Sequence, residues 1–452
     1  MKVIFEKSDF VNKLLGVQKI DTTLKYRKLQ FVELCEYEGV YLAYNMLTQE
    51  FSEISYNEFF LLSKQKFECS DEVLNIIENW YAVPVDYNDI NLYNQTLNTT
   101  NMFDIEQYIN SYTILTTTDC NARCFYCYEK GIKHIDMTVE TAHNVSKFII
   151  NNSKGRNVHL HWFGGEPLYN KDVIDIIVDD LNDAGVVFKC TMTSNGYLFD
   201  EGTVKTAKNK WNLKRVQITL DGTKDVYNRC KNYVHDDANP FARVCRNINL
   251  LLEIGITVKI RLNIGIHNYK NLFELSDFMI EEFGANKKLL VYVALLFDLD
   301  NKRIHKEKQE LVEHALNLEQ KLYDAGLSVY GLVNAGLKLA YCMADNIHST
   351  LINPKGELAR CEHYADSYTW GTVLAPNYKS DAFGIWKTKR DLIKRCHTCQ
   401  YFIMCRAPKK CITCQQECDE WDVKLKQVRT KRNMIATYIN KKSSEIVEDN
   451  NC

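Results

Sequence analysis

Cys120, Cys124 and Cys127 lie in one run, Thr118-Asp119-Cys120-Asn121-Ala122-Arg123-Cys124-Phe125-Tyr126-Cys127-Tyr128, and are the residues of this chain best suited to chemistry. Thiolates separated by three and then two residues can hold three irons of a 4Fe–4S cube and leave the fourth iron open. An open iron can take a small molecule as its ligand and pass it an electron. A zinc knot is the other reading of such spacing, although structural zinc normally takes four protein ligands.

A second group of thiols lies toward the carboxy terminus. Cys342 is followed by thirteen residues, Gly356, four residues and Cys361; then come Cys396-x2-Cys399-x5-Cys405 and Cys411-x2-Cys414-x3-Cys418. These eight cysteines are enough for two complete cubes, and one cube with a zinc site is equally compatible with clustered thiolates. Cys35, Cys69, Cys190, Cys230, Cys245 and Cys452 are scattered and read as core-filling or incidental thiols. The chain has no signal-like segment and no apolar run long enough to span a bilayer. The clustered cysteines among its 17 therefore read as metal ligands in a reducing cytoplasm rather than as a disulfide framework, with no membrane partner.

Several other segments carry polar residues where a strand pattern ends. His159-Leu160-His161-Trp162-Phe163-Gly164-Gly165-Glu166-Pro167-Leu168 leads into paired glycines, which permit close backbone approach, and into an acid that can accept hydrogen bonds from an ammonium. Ser194-Asn195-Gly196 contains a turn pair. Thr219-Leu220-Asp221-Gly222 ends another strand pattern, where Asp221 either caps a turn or faces a substrate. Arg261 falls within an alternating run that reads as a strand.

The elements that position these residues are legible as alternation and helical periodicity. Strands are predicted at Tyr112 to Thr116, Val158 to Trp162, Val187 to Thr191, Val216 to Leu220, Val258 to Ile264 and Leu290 to Leu295. Between them lie helical patterns such as Ile174, Ile177, Val178 and Leu181, one face at i, i+3, i+4 and i+7. Six β/α units predict an α/β architecture, a parallel sheet with right-handed crossovers and functional loops at the carboxyl ends of its strands.

The Cys-x3-Cys-x2-Cys run, with aromatic Tyr126 before its third cysteine, resembles the signature of the radical S-adenosylmethionine enzymes. The resemblance implies a partial (β/α)6, TIM-like barrel with the three cysteines on the loop after its first strand. In that family S-adenosylmethionine chelates the open iron through its amino and carboxylate groups, and an electron from the cluster cleaves it to a 5′-deoxyadenosyl radical. Gly164, Gly165 and Glu166 look like the motif that contacts the methionine amino group. Ser194 and Asn195 resemble the ribose-contacting segment, Arg261 the basic residue toward the cofactor carboxylate, and Asp221 part of a segment frequent in the SPASM branch.

The carboxy-terminal cysteines resemble the SPASM extension, which implies two auxiliary 4Fe–4S clusters and three clusters in all. That pattern expects a cysteine after three intervening residues beyond Cys405, where this chain has Lys409, so Cys411 or Cys414 must take the role. The expected partition is Cys342, Cys361, Cys411 and Cys414 for one auxiliary cluster and Cys396, Cys399, Cys405 and Cys418 for the other.

Residues 1–105 hold a short β-like start, the alternating run Gly39 to Asn45 and a helix pattern at Tyr56 to Lys64. They resemble the small winged-helix-like region with which SPASM peptide maturases engage a precursor leader, by adding a strand to a sheet edge. The expected division is 1–105 leader recognition, 106–325 radical SAM barrel and 326–452 SPASM domain with a terminal helix. The formal charge of −2 gives no nucleic-acid footprint. The reading is a maturase of a ribosomally made precursor peptide, with thioether formation as its expected reaction and a low-potential donor such as flavodoxin or ferredoxin as electron source. Carbon–carbon crosslinking, epimerisation, anaerobic sulfatase maturation and a non-catalytic peptide-binding role are the alternatives.

Overall fold

The computed structural model describes residues 1–5, 15–94, 108–284, 286–296, 308–328, 342–384, 394–405 and 418–449. The chain forms two compact units, Met1–Glu106 with Tyr330–Tyr341 and Arg390–Cys452, and Gln107–Val329 with Cys342–Lys389. These do not coincide with the three expected segments, because the carboxy-terminal cysteine region is shared between the two units.

In the first unit, β1 (Lys2–Phe5), β2 (Lys25–Lys28), β3 (Val32–Tyr37), β4 (Val40–Asn45), β5 (Glu50–Ile54), β6 (Phe67–Glu68) and β7 (Ala82–Pro84) build two antiparallel sheets, ordered β1-β5-β4-β3 and β6-β2-β7. Strands β3 and β4 are joined by Glu38 and Gly39, with φ of 49° and 77°, the two-residue hairpin whose twist matches its strands. Helix α1 (Tyr56–Ser63) starts at a capping box between Ser55 and Glu58, and α2 (Leu74–Glu78) follows.

The core of this unit is contributed by both ends of the chain. Phe31, Val32, Leu42 and Phe51 belong to the same buried cluster as Tyr401, Phe402, Ile403 and Met434. Tyr93 meets Phe402 edge-on at 4.9 Å. Glu33 is buried on β3, where its carboxylate accepts hydrogen bonds from the Tyr401 hydroxyl and from Gln400 Nε2 at 2.7 Å. Gln30 Nε2 donates to the Cys399 carbonyl at 2.9 Å. Lys431, on the terminal helix Glu420–Asp449, approaches Glu33 to 3.8 Å.

In the second unit, β8 (Ser111–Leu115), β9 (Val158–Phe163), β10 (Phe188–Thr193), β11 (Leu213–Thr219), β12 (Thr257–Ile264) and β13 (Leu289–Leu295) lie side by side in sequence order, all parallel. Helices α3 (Val139–Ser153), α4 (Lys171–Asp183), α5 (Glu201–Asn209), α6 (Lys224–Lys231), α7 (Pro240–Glu253), α8 (Tyr269–Phe283) and α9 (Lys308–Asp324) occupy the connections. Beyond β8 the sheet continues through β14 (Ser349–Ile352), parallel to β8, and then β15 (Glu357–Ala359) and β16 (Thr369–Thr372), both antiparallel. The result is a mixed nine-stranded sheet in an α/β fold. Pro354 to Gly356 make the hairpin between β14 and β15, with Gly356 at φ 77°.

Strands taken in sequence order, with crossovers of one hand, stack their helices on a single face. The burial pattern agrees: Val158, Leu160 and Trp162 of β9 are buried in the main core with α4 residues Val173, Ile174, Ile177, Val178 and Leu181. The other face is polar. His161 bonds Thr191 at 2.8 Å and Thr193 at 3.2 Å, and burial, with His159 and Arg215 nearby, lowers its pKa to about 4, which keeps the imidazole neutral.

Candidate active site

The three-cysteine run leaves the sheet at the carboxyl end of β8, where a parallel β/α sheet places its ligand loops. Its entry is held by side chains closing on the loop's own backbone. Thr117 Oγ1 accepts from Asp119 N at 2.9 Å, and the Asp119 carboxylate accepts from Cys120 N at 2.7 Å. Cys127 N donates to the Cys124 carbonyl at 3.2 Å, forming a turn that brings two of the thiols together. Burial pushes the Cys120 thiol up to about 12, with Glu166 the next cause and Cys124 and Cys127 adding smaller repulsions. The three thiols sense one another, and a cation among them would reverse this effect and favour the thiolates.

Gly164 and Gly165 serve this loop directly. A Cβ on Gly164, whose φ is 119°, would lie 2.2 Å from the Thr117 carbonyl oxygen, and one on Gly165 would lie 2.1 Å from that of Asp119. The glycines let the end of β9 press against the backbone from which Cys120 projects. Their need for close approach was legible in the sequence; that the approaching group is the cysteine loop itself was not. Gly165→Ala is expected to displace Asp119 and Cys120 and to remove about four irons per chain after anaerobic reconstitution. Gly384→Ala, where an added Cβ meets nothing within 4 Å, is the control and should load as wild type.

Glu166 is fully buried and joins two loops. Its backbone N donates to the Asp119 carbonyl at 2.8 Å, while its carboxylate accepts from Ser194 Oγ at 2.8 Å and Asn195 N at 2.8 Å. Burial raises its pKa to about 7, against the lowering effect of those hydrogen bonds. Asn195 in turn donates from Nδ2 to Asn121 Oδ1 at 2.6 Å and lies 3.8 Å from Cys120 Sγ. The structure thus brings Gly164, Gly165, Glu166, Ser194 and Asn195 together around Cys120. Asn121 is wholly buried, and its Nδ2 has no hydrogen-bond partner among the described residues, a donor left over beside the first cysteine.

Asp221 and Arg261 belong to a polar network on the other side of the loop. Asp221 is fully buried at the end of β11, where its carboxylate accepts from the Tyr126 hydroxyl at 2.5 Å and from Asn263 Nδ2 at 3.2 Å. Lys231 Nζ lies 3.0 Å from the same carboxylate and donates to the Tyr126 hydroxyl at 3.0 Å. Arg261 reaches the network through Asn263, donating from Nε at 2.8 Å. Lys231 and Asn263 were missed in the sequence. A lysine at the end of an amphipathic helix reads as solvated, and only the fold shows it 3% exposed.

Among the carboxy-terminal cysteines, Cys342 and Cys361 lie in the second unit, and Cys396, Cys399, Cys405 and Cys418 in the first. Cys411 and Cys414 fall outside the described residues. Burial raises the Cys418 thiol to about 11, followed by Asp422, with Cys405 and Cys399 contributing. Four scattered cysteines, Cys35, Cys190, Cys230 and Cys245, are buried, as expected of core-filling thiols.

No three His, Cys, Asp or Glu side chains among the described residues converge as the ligands of one metal ion would. A cube takes each thiolate on a different iron, so its ligands need not converge. The neighbouring thiols and the spare donor of Asn121 suit such a group, because hydrogen bonds to its sulfurs are part of how a protein holds and tunes it.

The Radical SAM superfamily model matches residues 114–279, from β8 through α8. Residues 114–279 are a radical SAM domain. The chain carries Cys120, Cys124 and Cys127 within that domain. It is 23% identical over 321 residues to the radical SAM cyclopropyl synthase TigE of Paramaledivibacter caminithermalis, covering 66% of this chain and 65% of that protein. It is 25% identical over 188 residues to a probable GTP 3′,8-cyclase of Methanococcus vannielii, covering 41% of this chain and 59% of the relative. The matched region is thus less than two thirds of either relative's length. Among solved structures, native anSMEcpe with bound AdoMet and Kp18Cys peptide shares the fold with a TM-score of 0.56 and 15% identity, over 74% of this chain and 99% of that one. No helix among the described residues is long and apolar enough to cross a membrane.

Proposed function

We propose that this chain is a radical SAM enzyme, a maturase that installs an intrapeptide thioether in a ribosomally synthesised precursor peptide. The observation that carries the reading is the pairing of an open-iron cysteine loop on the radical SAM domain with a second, cysteine-rich region after it. One structural neighbour supports a peptide substrate by analogy: anSMEcpe, whose structure holds a peptide together with AdoMet.

In this reading Cys120, Cys124 and Cys127 hold the catalytic 4Fe–4S cluster, and the eight carboxy-terminal cysteines hold two auxiliary ones. When bound, the catalytic cluster supplies a single low-potential electron to S-adenosylmethionine, the source of the radical. The chain's own residues position that cofactor. Gly164 and Gly165 set the loop, Glu166 orients Ser194 and Asn195 toward the ribose, and Asn263 aims Arg261 for the carboxylate. Tyr126 and Asp221 brace the loop from the opposite side. Residues 1–105 take the precursor leader, so that affinity resides on a remote segment while the core peptide meets the radical at short range. A flavodoxin- or ferredoxin-like protein is the electron donor.

Thioether closure replaces one C–H and one S–H of the peptide with a C–S bond, a net loss of two hydrogens: one would leave as a hydrogen atom to the 5′-deoxyadenosyl radical, and the other as a proton to solvent with its electron accepted at an auxiliary cluster, the redox capacity that the carboxy-terminal cysteines would supply. The test is co-expression with short open reading frames taken from the neighbourhood of this gene, followed by high-resolution mass spectrometry and thiol alkylation. A product two hydrogens lighter, with one cysteine no longer alkylated, is the expected result. An unchanged mass with an inverted residue would assign epimerisation instead, and a two-hydrogen loss with every cysteine still alkylatable would assign a carbon–carbon bond.

A further inference from the structure

Lys231 is the last residue of α6, and the cysteine loop is strapped to the segment that follows it. Arg123 N donates to the Lys231 carbonyl at 2.8 Å, Val234 N donates to the Asn121 carbonyl at 2.9 Å, and Ala122 bridges Tyr233. The lysine side chain then turns inward under the loop. Its ammonium is fixed by the Asp221 carboxylate at 3.0 Å and the Tyr126 hydroxyl at 3.0 Å, with the rings of Tyr126 and Tyr227 at 5.6 and 5.8 Å. The aromatic Tyr227–Tyr233 pair, joined hydroxyl to hydroxyl at 2.9 Å, packs beside the lysine.

The side chains of Lys231 and Asp221 are 4% and 1% exposed, so neither charge is screened by solvent. Burial works against the ammonium, but Asp221, then Tyr126 and Cys124, outweigh it and hold the lysine pKa well above its ordinary value. A buried cation is thus fixed on the hydroxyl of Tyr126, the residue between Cys124 and Cys127 in the loop, in a place where the dielectric is low. A cube bound by three thiolates gains negative charge on reduction, and a fixed cation beside the ligand loop favours that more negative form.

We propose that Lys231 is a positioning residue that sets the reduction potential of the cluster at Cys120, Cys124 and Cys127, with Asp221 as its counter-charge and Tyr126 as the link to the loop. The inference rests on the cluster reading given above. Its consequence is directional. Removing the cation makes the cluster harder to reduce, and removing the counter-charge makes it easier.

The test is a potentiometric titration of the anaerobically reconstituted full chain, followed by electron paramagnetic resonance. The relevant cluster is identified as the one whose signal changes when S-adenosylmethionine is added. Lys231→Met is expected to move its midpoint potential to more negative values, Lys231→Arg to restore it, and Asp221→Asn to move it the opposite way. A midpoint unchanged in Lys231→Met at full iron content overturns the proposal. Should Lys231→Met fail to load iron, an Asp221→Asn variant whose potential is unchanged or more negative overturns it equally. A wild-type protein with no cluster that responds to S-adenosylmethionine contradicts the cluster reading instead, so the two failures are distinguishable.

Discussion

Deleting residues 1–105 is expected to unfold the segment 394–405 and to cost the protein about four irons per chain, while the radical SAM domain stays folded. The tail segment has no core of its own. Tyr401, Phe402 and Ile403 are buried among residues of the amino-terminal sheets, and Tyr401 and Gln400 are bonded to Glu33. Exposing three such side chains forfeits roughly 5–9 kcal/mol, comparable with the whole stability of a typical domain. The lost irons are those that Cys396, Cys399, Cys405 and Cys418 would hold. The second unit, which contains the radical SAM domain, has a separate buried core running from Ile109 to Phe383, so cofactor cleavage should survive the deletion. Iron and sulfide analysis with limited proteolysis checks this; full iron content and a protected tail in the truncated protein would show that the tail folds alone. The milder Glu33→Ala should destabilise the same segment by about 1–3 kcal/mol, since it leaves the Tyr401 hydroxyl without its buried acceptor.

Replacing Cys120, Cys124 and Cys127 together by alanine is expected to remove one cube, again about four irons, and to abolish S-adenosylmethionine cleavage while the carboxy-terminal clusters remain. The two losses are separable in Mössbauer spectra of iron-57-labelled protein. Truncation removes cluster signal from the tail and spares cleavage; the triple substitution does the reverse. Cleavage at wild-type rate in the triple variant would show that another site carries the chemistry.

The radical SAM domain was legible because its strands obey a strict alternation. Val258, Ile260, Leu262 and Ile264 mark β12 to its last residue, and the predicted strand from Val258 begins one residue after the observed start at Thr257. Strand β11 was harder to bound. It begins at Leu213, three residues before its apolar pattern is visible, because Lys214 and Arg215 are exposed and read as loop. Helix α1 starts at its predicted first residue, Tyr56, and ends at Ser63, one residue before its predicted limit at Lys64. The cysteine loop and the paired glycines were equally plain, as both announce themselves in a few consecutive residues.

What spacing could not reveal was partnership at long range. Lys231 is 105 residues from Tyr126, and nothing local distinguishes it from the solvated lysines elsewhere in the chain. Glu33 is 368 residues from Tyr401, so the joining of the amino-terminal sheets to a carboxy-terminal cysteine segment left no mark on either stretch alone. Glu166 was identified as an acid beside a ligand site, but its hydrogen bonds to Ser194 and Asn195 appear only once β9 and β10 lie side by side.

Whether Cys120, Cys124 and Cys127 carry radical chemistry is decided by 5′-deoxyadenosine formation in the anaerobically reconstituted wild-type protein, supplied with S-adenosylmethionine and dithionite. The product is expected to form, to disappear in the Cys120, Cys124 and Cys127 triple variant, and to depend on iron loading. A fully loaded wild-type protein that releases no 5′-deoxyadenosine, or a triple variant that releases as much as wild type, would contradict this assignment.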